Sequence, residues 1–82
     1  MADMTDSLEI AQEVDAKGMN CPLPILKAKK ALAGLQSGQL VRVLATDKNA
    51  GKDFQAFALQ TGNALVAQHE ADGVIVTVLR RR

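Results

Sequence analysis

Eighty-two residues suffice for one compact domain, and a domain of this size buries only roughly 60–65% of its unfolded surface. That disfavours a deep pocket walled from several sides, and with it a self-sufficient small-molecule enzyme; function belongs on the surface or at an element's end. Ten Lys and Arg against nine Asp and Glu give a net charge of +1, and the chain has two Phe but no Tyr or Trp. It has neither the basic excess of a dedicated nucleic-acid binder nor the aromatics of a base-stacking platform.

The apolar runs are far shorter than a membrane span. The segment Met1-Ala2-Asp3-Met4-Thr5-Asp6 is acidic and polar, unlike a signal peptide. The expectation is a soluble, cytoplasmic protein. Its single cysteine suits a reducing compartment. One thiol and His69 cannot supply the four ligands of a structural zinc, so no metal is expected. Any chemistry at Cys21 is that of a nucleophile or an attachment point.

Residues 1–9 carry no period and read as a flexible tail, leaving 10–82 as a single domain. Ile10, Gln12, Val14 and Ala16 alternate with Ala11, Glu13 and Asp15, which predicts a first strand ending before Gly18. Pro22 opens a helix to about Leu35, a position where its missing N–H is harmless. Ile25, Ala28, Ala31, Leu32 and Leu35 share the apolar face of that helix, with Lys27, Lys30 and Gly34 opposite. Leu40 to Thr46 is apolar on both faces, as an interior strand would be. Asp47-Lys48-Asn49 is turn chemistry, with Asn49 as N-cap of a second helix from Ala50 to Thr61 that buries Phe54, Phe57 and Ala58. Gly62-Asn63 stops it. A third strand runs Ala64 to His69, Asp72-Gly73 marks a hairpin, and Val74 to Leu79 is the fourth strand.

The order βαβαββ calls for right-handed crossovers and both helices on one side of a four-stranded mixed sheet. The fold class is therefore an α/β two-layer sandwich with one bare sheet face.

The stretch Gly18-Met19-Asn20-Cys21-Pro22-Leu23-Pro24 places the thiol at a helix start. With Cys21 as N-cap, the Leu23 N–H is its donor, since Pro24 has none. The helix dipole and that donor would stabilise a thiolate and lower its pKa. Pro22, Leu23 and Pro24 shape the site, the two prolines stiffening the turn. With no second cysteine to resolve an oxidised sulfur, a Cys-x-x-Cys oxidoreductase is excluded.

From Val14 to Leu79 the sequence closely resembles the TusA family of sulfur carriers, with its SirA- and YedF-like members. The resemblance is strongest over Val14-Asp15-Ala16-Lys17-Gly18-Met19-Asn20-Cys21-Pro22-Leu23-Pro24-Ile25-Leu26-Lys27-Ala28-Lys29-Lys30-Ala31-Leu32, where Cys-Pro-x-Pro is the specific element. Asp47, Asp53, Phe57, Gly62, Glu70 and Gly73 also match family positions. Lys48 and Asn63-Ala64 depart from common family residues, away from the thiol. The resemblance implies sheet order 1-2-4-3 and a persulfide on Cys21 as the covalent cargo, with no cofactor. It implies a cysteine desulfurase or rhodanese as donor, and a protein acceptor serving tRNA thiolation, cofactor sulfuration or sulfur oxidation.

Plainer readings stand beside these. A free cysteine is more often a buried structural thiol. Lys27, Lys29 and Lys30 are an ordinary solvated helix face or a docking patch. Leu23 and Leu26 project from the buried face near the thiol, and Leu26 with Lys27 and Lys30 forms a candidate docking edge. His69 reads as an ordinary strand residue, and Arg80-Arg81-Arg82 as a solubilising terminus. The competing functions are a non-catalytic regulatory or RNA-associated module using the bare face, and a selenium or redox carrier of the same family.

Overall fold

A computed structural model describes residues 9–82, so all but the last residue of the expected N-terminal tail lies outside it. Strands β1 (Ile10–Ala16), β2 (Leu40–Ala45), β3 (Ala64–Ala71) and β4 (Val74–Arg80) alternate with helices α1 (Leu23–Ala33) and α2 (Ala50–Thr61) in the order βαβαββ. The sheet order is β1-β2-β4-β3, with β1 and β2 parallel and β4 antiparallel to both its neighbours. Crossover α1 joins adjacent parallel strands. Crossover α2 leaves a gap that the hairpin strand β4 fills.

One face of the sheet meets the helices. Val14, Ala16, Val41, Val43, Ala45 and Leu79 are buried there beneath Ala28, Ala31, Leu32 and Leu35 of α1 and its exit turn, and Ala50, Phe54, Phe57 and Ala58 of α2. The Phe54 and Phe57 rings meet edge to face, centroids 6.5 Å apart, an arrangement that adds to plain burial. On the helix-free face Leu40, Arg42 and Leu44 alternate with the buried set, and Arg42 pairs with Glu13 of the adjacent strand.

Thr77 is a fully buried polar residue on the helix side of β4. Its hydroxyl accepts from Gln68 Nε2 at 3.1 Å, and the same nitrogen reaches the Gly51 carbonyl, also at 3.1 Å. This link ties edge strand β3 to the first turn of α2. Among the described residues no buried side-chain polar atom is left unpaired. Both edge strands carry a register shift, between Ile10 and Gln12 and between Leu65 and Ala67, a device that discourages further strand pairing.

The boundaries differ from the sequence expectation in a few places. Helix α1 ends at Ala33 because the Gly34 N–H turns back to the Ala31 carbonyl and the Leu35 N–H to that of Leu32. Strand β3 continues to Ala71 because the Asp72-Gly73 turn, with φ of 53° and 78°, is tight enough to keep Ala71 paired with Val74. Asn49 holds the N-cap position of α2, but its side chain makes no capping bond. The C-terminal arginines are more than a solubilising tail. Arg81 exchanges backbone hydrogen bonds with Gly38 and Gln39, and its guanidinium donates to the Leu35 carbonyl at 2.6 Å.

Phe54 is fully buried, so Phe54→Ala should cost about 3–5 kcal/mol, much of a small domain's stability, in urea unfolding monitored by circular dichroism. Gly62 closes α2 at φ 77°, its N–H on the Ala58 carbonyl. Gly62→Ala should cost about 1–2 kcal/mol in the same measurement.

Candidate functional site

Parallel β1 and β2 end side by side, with Ala16 opposite Ala45. The loops that follow are therefore neighbours, and they are stitched together. The Gly18 N–H donates to Thr46 Oγ1 at 2.8 Å, and the Cys21 N–H donates to Asp47 Oδ2 at 2.7 Å. The other carboxylate oxygen, Asp47 Oδ1, accepts from the Asn49 N–H at 3.1 Å, and the Asp47 carbonyl accepts from Ala50 N–H at 3.0 Å. One side chain thus fixes both the cysteine backbone and the entry to α2.

Cys21 is a free, exposed thiol. It precedes α1 by two residues rather than capping it. Pro22 is the N-cap (φ −99°, ψ 16°), following a cis Cys21–Pro22 peptide bond, and Pro24 stands within the first turn. The Leu23 N–H expected to serve the sulfur is taken by the Asn20 carbonyl at 2.9 Å, closing a turn around Cys21 and Pro22. The Leu26 N–H is likewise taken, by the Pro22 carbonyl at 3.1 Å. The N-cap geometry read from the sequence is therefore corrected: the site is a turn leading into the helix.

The expected electrostatics are corrected with it. Hydrogen bonding by the Asp53 side chain, from the first turn of α2, pushes the Cys21 thiol above its ordinary pKa, as do partial desolvation and the negative charges of Asp53 and Asp47.

The remaining candidates divide. Leu23 and Leu26 are 49% and 53% exposed on the first turn of α1, beside the thiol in the chain and free to meet a partner. Lys27 and Lys30 instead line a shallow groove of about 390 Å3 against Gln12, Glu13 and Asp15 of β1. Lys27 Nζ donates there to the Asp15 carbonyl at 3.3 Å. The docking edge suggested by Leu26, Lys27 and Lys30 is thus two features: an apolar tip and a basic flank. His69 pairs with Val76 on edge strand β3, at the opposite edge of the sheet from β1.

Asp47 and Asp53 are the site residues that periodicity missed, Asp47 having been read as turn chemistry. The signal lay in the topology. In a parallel βαβ unit the loops after consecutive strands lie at the same end of the sheet, so a residue just after β2 faces one just after β1.

The family described as Sulfurtransferase TusA matches residues 12–81. A sulfur carrier protein TusA of Allochromatium vinosum is 58% identical over 62 residues, covering 76% of this chain and 82% of the relative. A putative sulfur carrier protein of Neisseria meningitidis is 49% identical over 72 residues, 88% of this chain and 97% of the relative. The crystal structure of a SirA-like protein from Desulfitobacterium hafniense superposes with a TM-score of 0.76 at 35% identity, covering 84% of this chain and 95% of that one. With the match spanning all but the first two residues of the βαβαββ unit and including its cysteine loop, the chain belongs to the TusA family of sulfur carrier proteins.

Proposed function

We propose that the protein carries sulfane sulfur as a persulfide on Cys21, taking it from a donor protein and passing it to an acceptor protein. The observation that carries this reading is a single exposed thiol held on a hydrogen-bonded turn at the end of a strand, open to a partner's approach. A pocket for a free substrate is not needed. The clefts lined by α1 and β1 and by residues around Glu9 and Gln39 do not include Cys21.

The transfer step balances simply. Cys21 loses its proton and attacks the outer sulfur of a donor R–S–SH. The donor S–S bond breaks, R–S⁻ leaves with the electron pair and is protonated, and Cys21–S–SH forms. The second transfer repeats the step with Cys21 as leaving group. The protein is a sulfurtransferase in this carrier sense, its cargo covalent and no cofactor involved. Its donor is a cysteine desulfurase or rhodanese, its acceptor a protein of tRNA thiolation, cofactor sulfuration or sulfur oxidation, and its setting the cytoplasm. It makes no direct contact with nucleic acid. No helix among the described residues is long and apolar enough to cross a membrane.

Incubation with a persulfide-bearing donor should add one sulfur, about 32 Da in intact mass, and Cys21→Ala should abolish the increment. A protein that binds its partner but never gains this mass in wild-type form would instead be a binding module. Leu26→Asp, at the exposed tip of α1, should lower kcat/KM for loading from the cognate donor about tenfold, the weight of one apolar interface contact. Loading by a small-molecule polysulfide should be unchanged. Equal loss with both donors would place Leu26 in the stability of the fold rather than in docking.

A further inference from the structure

Transfer between two proteins needs the sulfur held in one direction as well as exposed, because a docked donor presents its own sulfur along a fixed approach. The backbone amides of the cysteine turn show what holds it. The Lys17 N–H donates to Asp15 Oδ1 at 3.0 Å, the Met19 N–H to the Ala16 carbonyl at 3.2 Å and the Leu23 N–H to the Asn20 carbonyl at 2.9 Å. These bonds join near neighbours in the chain and set the turn's internal shape rather than its direction. The Gly18 N–H on Thr46 Oγ1 at 2.8 Å and the Cys21 N–H on Asp47 Oδ2 at 2.7 Å reach across to the loop after β2. Of these two long-range bonds, the one to Asp47 is on the cysteine's own amide.

We propose that Asp47 is a positioning residue for sulfur transfer, its carboxylate aiming Cys21 at the outer sulfur of a docked protein donor by anchoring the Cys21 amide. The inference rests on the persulfide reading and assigns the step that Asp47 serves, which is the attack of Sγ on the donor rather than the docking of the donor. Asp47 acts through the Cys21 backbone. It suits the task because its two oxygens hold two amides at once, Oδ2 that of Cys21 and Oδ1 that of Asn49 at 3.1 Å. Asn49 is the N-cap of α2, and the Ala50 N–H closes on the Asp47 carbonyl at 3.0 Å. The carboxylate therefore cannot swing away from Cys21 without also releasing the start of the helix.

Removing Asp47 has two consequences of opposite sign. Its negative charge pushes the Cys21 thiol pKa up, so its loss favours the thiolate and quickens reaction with a small electrophile. Loss of the anchor lets the turn wander, and a misplacement of about 1 Å costs on the order of a hundredfold where two partners must be aligned. A small reagent, free to approach from any side, does not feel that second loss. The donor's size thus separates positioning from electrostatics.

The test sets a persulfide-loaded rhodanese against sodium tetrasulfide as sulfur donors. With the rhodanese, Asp47→Ala should lower kcat for loading about ten- to hundredfold and leave KM within about twofold. With tetrasulfide, and in alkylation by iodoacetamide, the variant should react at least as fast as the wild type. Asp47→Asn keeps one acceptor oxygen for the two amides and should recover part of the lost kcat. Should Asp47→Ala not fold, Asp47→Asn replaces it, with the same split between donors at smaller size. A further arm needs no substitution: in the wild type the Cys21 amide should exchange its hydrogen at least about tenfold more slowly than an unstructured amide. An unprotected Cys21 amide, or rhodanese kcat in the variants equal to that of the wild type, would overturn the positioning role. So would an equal loss with both sulfur donors, the mark of a residue that serves only stability. A wild type that loads from neither donor would overturn the carrier reading itself, an outcome distinct from all of these.

Discussion

The hydrogen bond from the Cys21 N–H to Asp47 Oδ2 is the constraint on which the site depends. Cys21 is exposed, although Met19 in the same loop packs against the core. What fixes it is a contact 26 residues away along the chain, made possible because β1 and β2 run parallel and finish together. The same carboxylate also receives the Asn49 N–H, so the sulfur's position and the start of α2 are set jointly. A charge-assisted bond of this kind is stronger than a neutral one, which suits a loop that must be ordered while fully wet.

Two electrostatic influences of opposite sign act at the sulfur. A helix N-terminus is worth about half a positive charge, and its effect is delivered largely through free amides of the first turn. In α1 the Leu23 and Leu26 amides are already engaged and Pro24 has none. Against that half-charge stand the carboxylates of Asp53 and Asp47, which push the thiol pKa up.

Much of this molecule was legible in its residues. Alternation over Ile10 to Ala16, the apolar face of α1, the interior character of Leu40 to Ala45 and the left-handed stop at Gly62 all follow from local periodicity and backbone sterics. The sulfur's surroundings were not legible in the same way. Counting N-cap positions from Pro22 assumes that the helix begins at the proline, yet the Asn20 carbonyl captures the Leu23 amide and delays it. The two aspartates lie on another element, and no period in the sequence around Cys21 points to them. The Gln68–Thr77 link was not legible for a related reason: a polar pair across two strands is invisible to a pattern that scores each strand alone.

A domain this small divides labour with its partners. The core needs both helices and the inner face of the sheet to exclude water, so little is left to wall in a reacting sulfur. The protein supplies a rigid platform, an accessible thiol and an apolar tip at Leu23 and Leu26. What it does not enclose, a docked partner must: the dry surface and the outer sulfur arrive together. Because each of two successive partners must be able to close over the same atom, an open site is the form a relay requires. A deep pocket around Cys21 would bind one partner's sulfur well and deny it to the next. Exposure of the thiol therefore admits each partner in turn, and the surface around it, rather than an enclosing wall, must select among them.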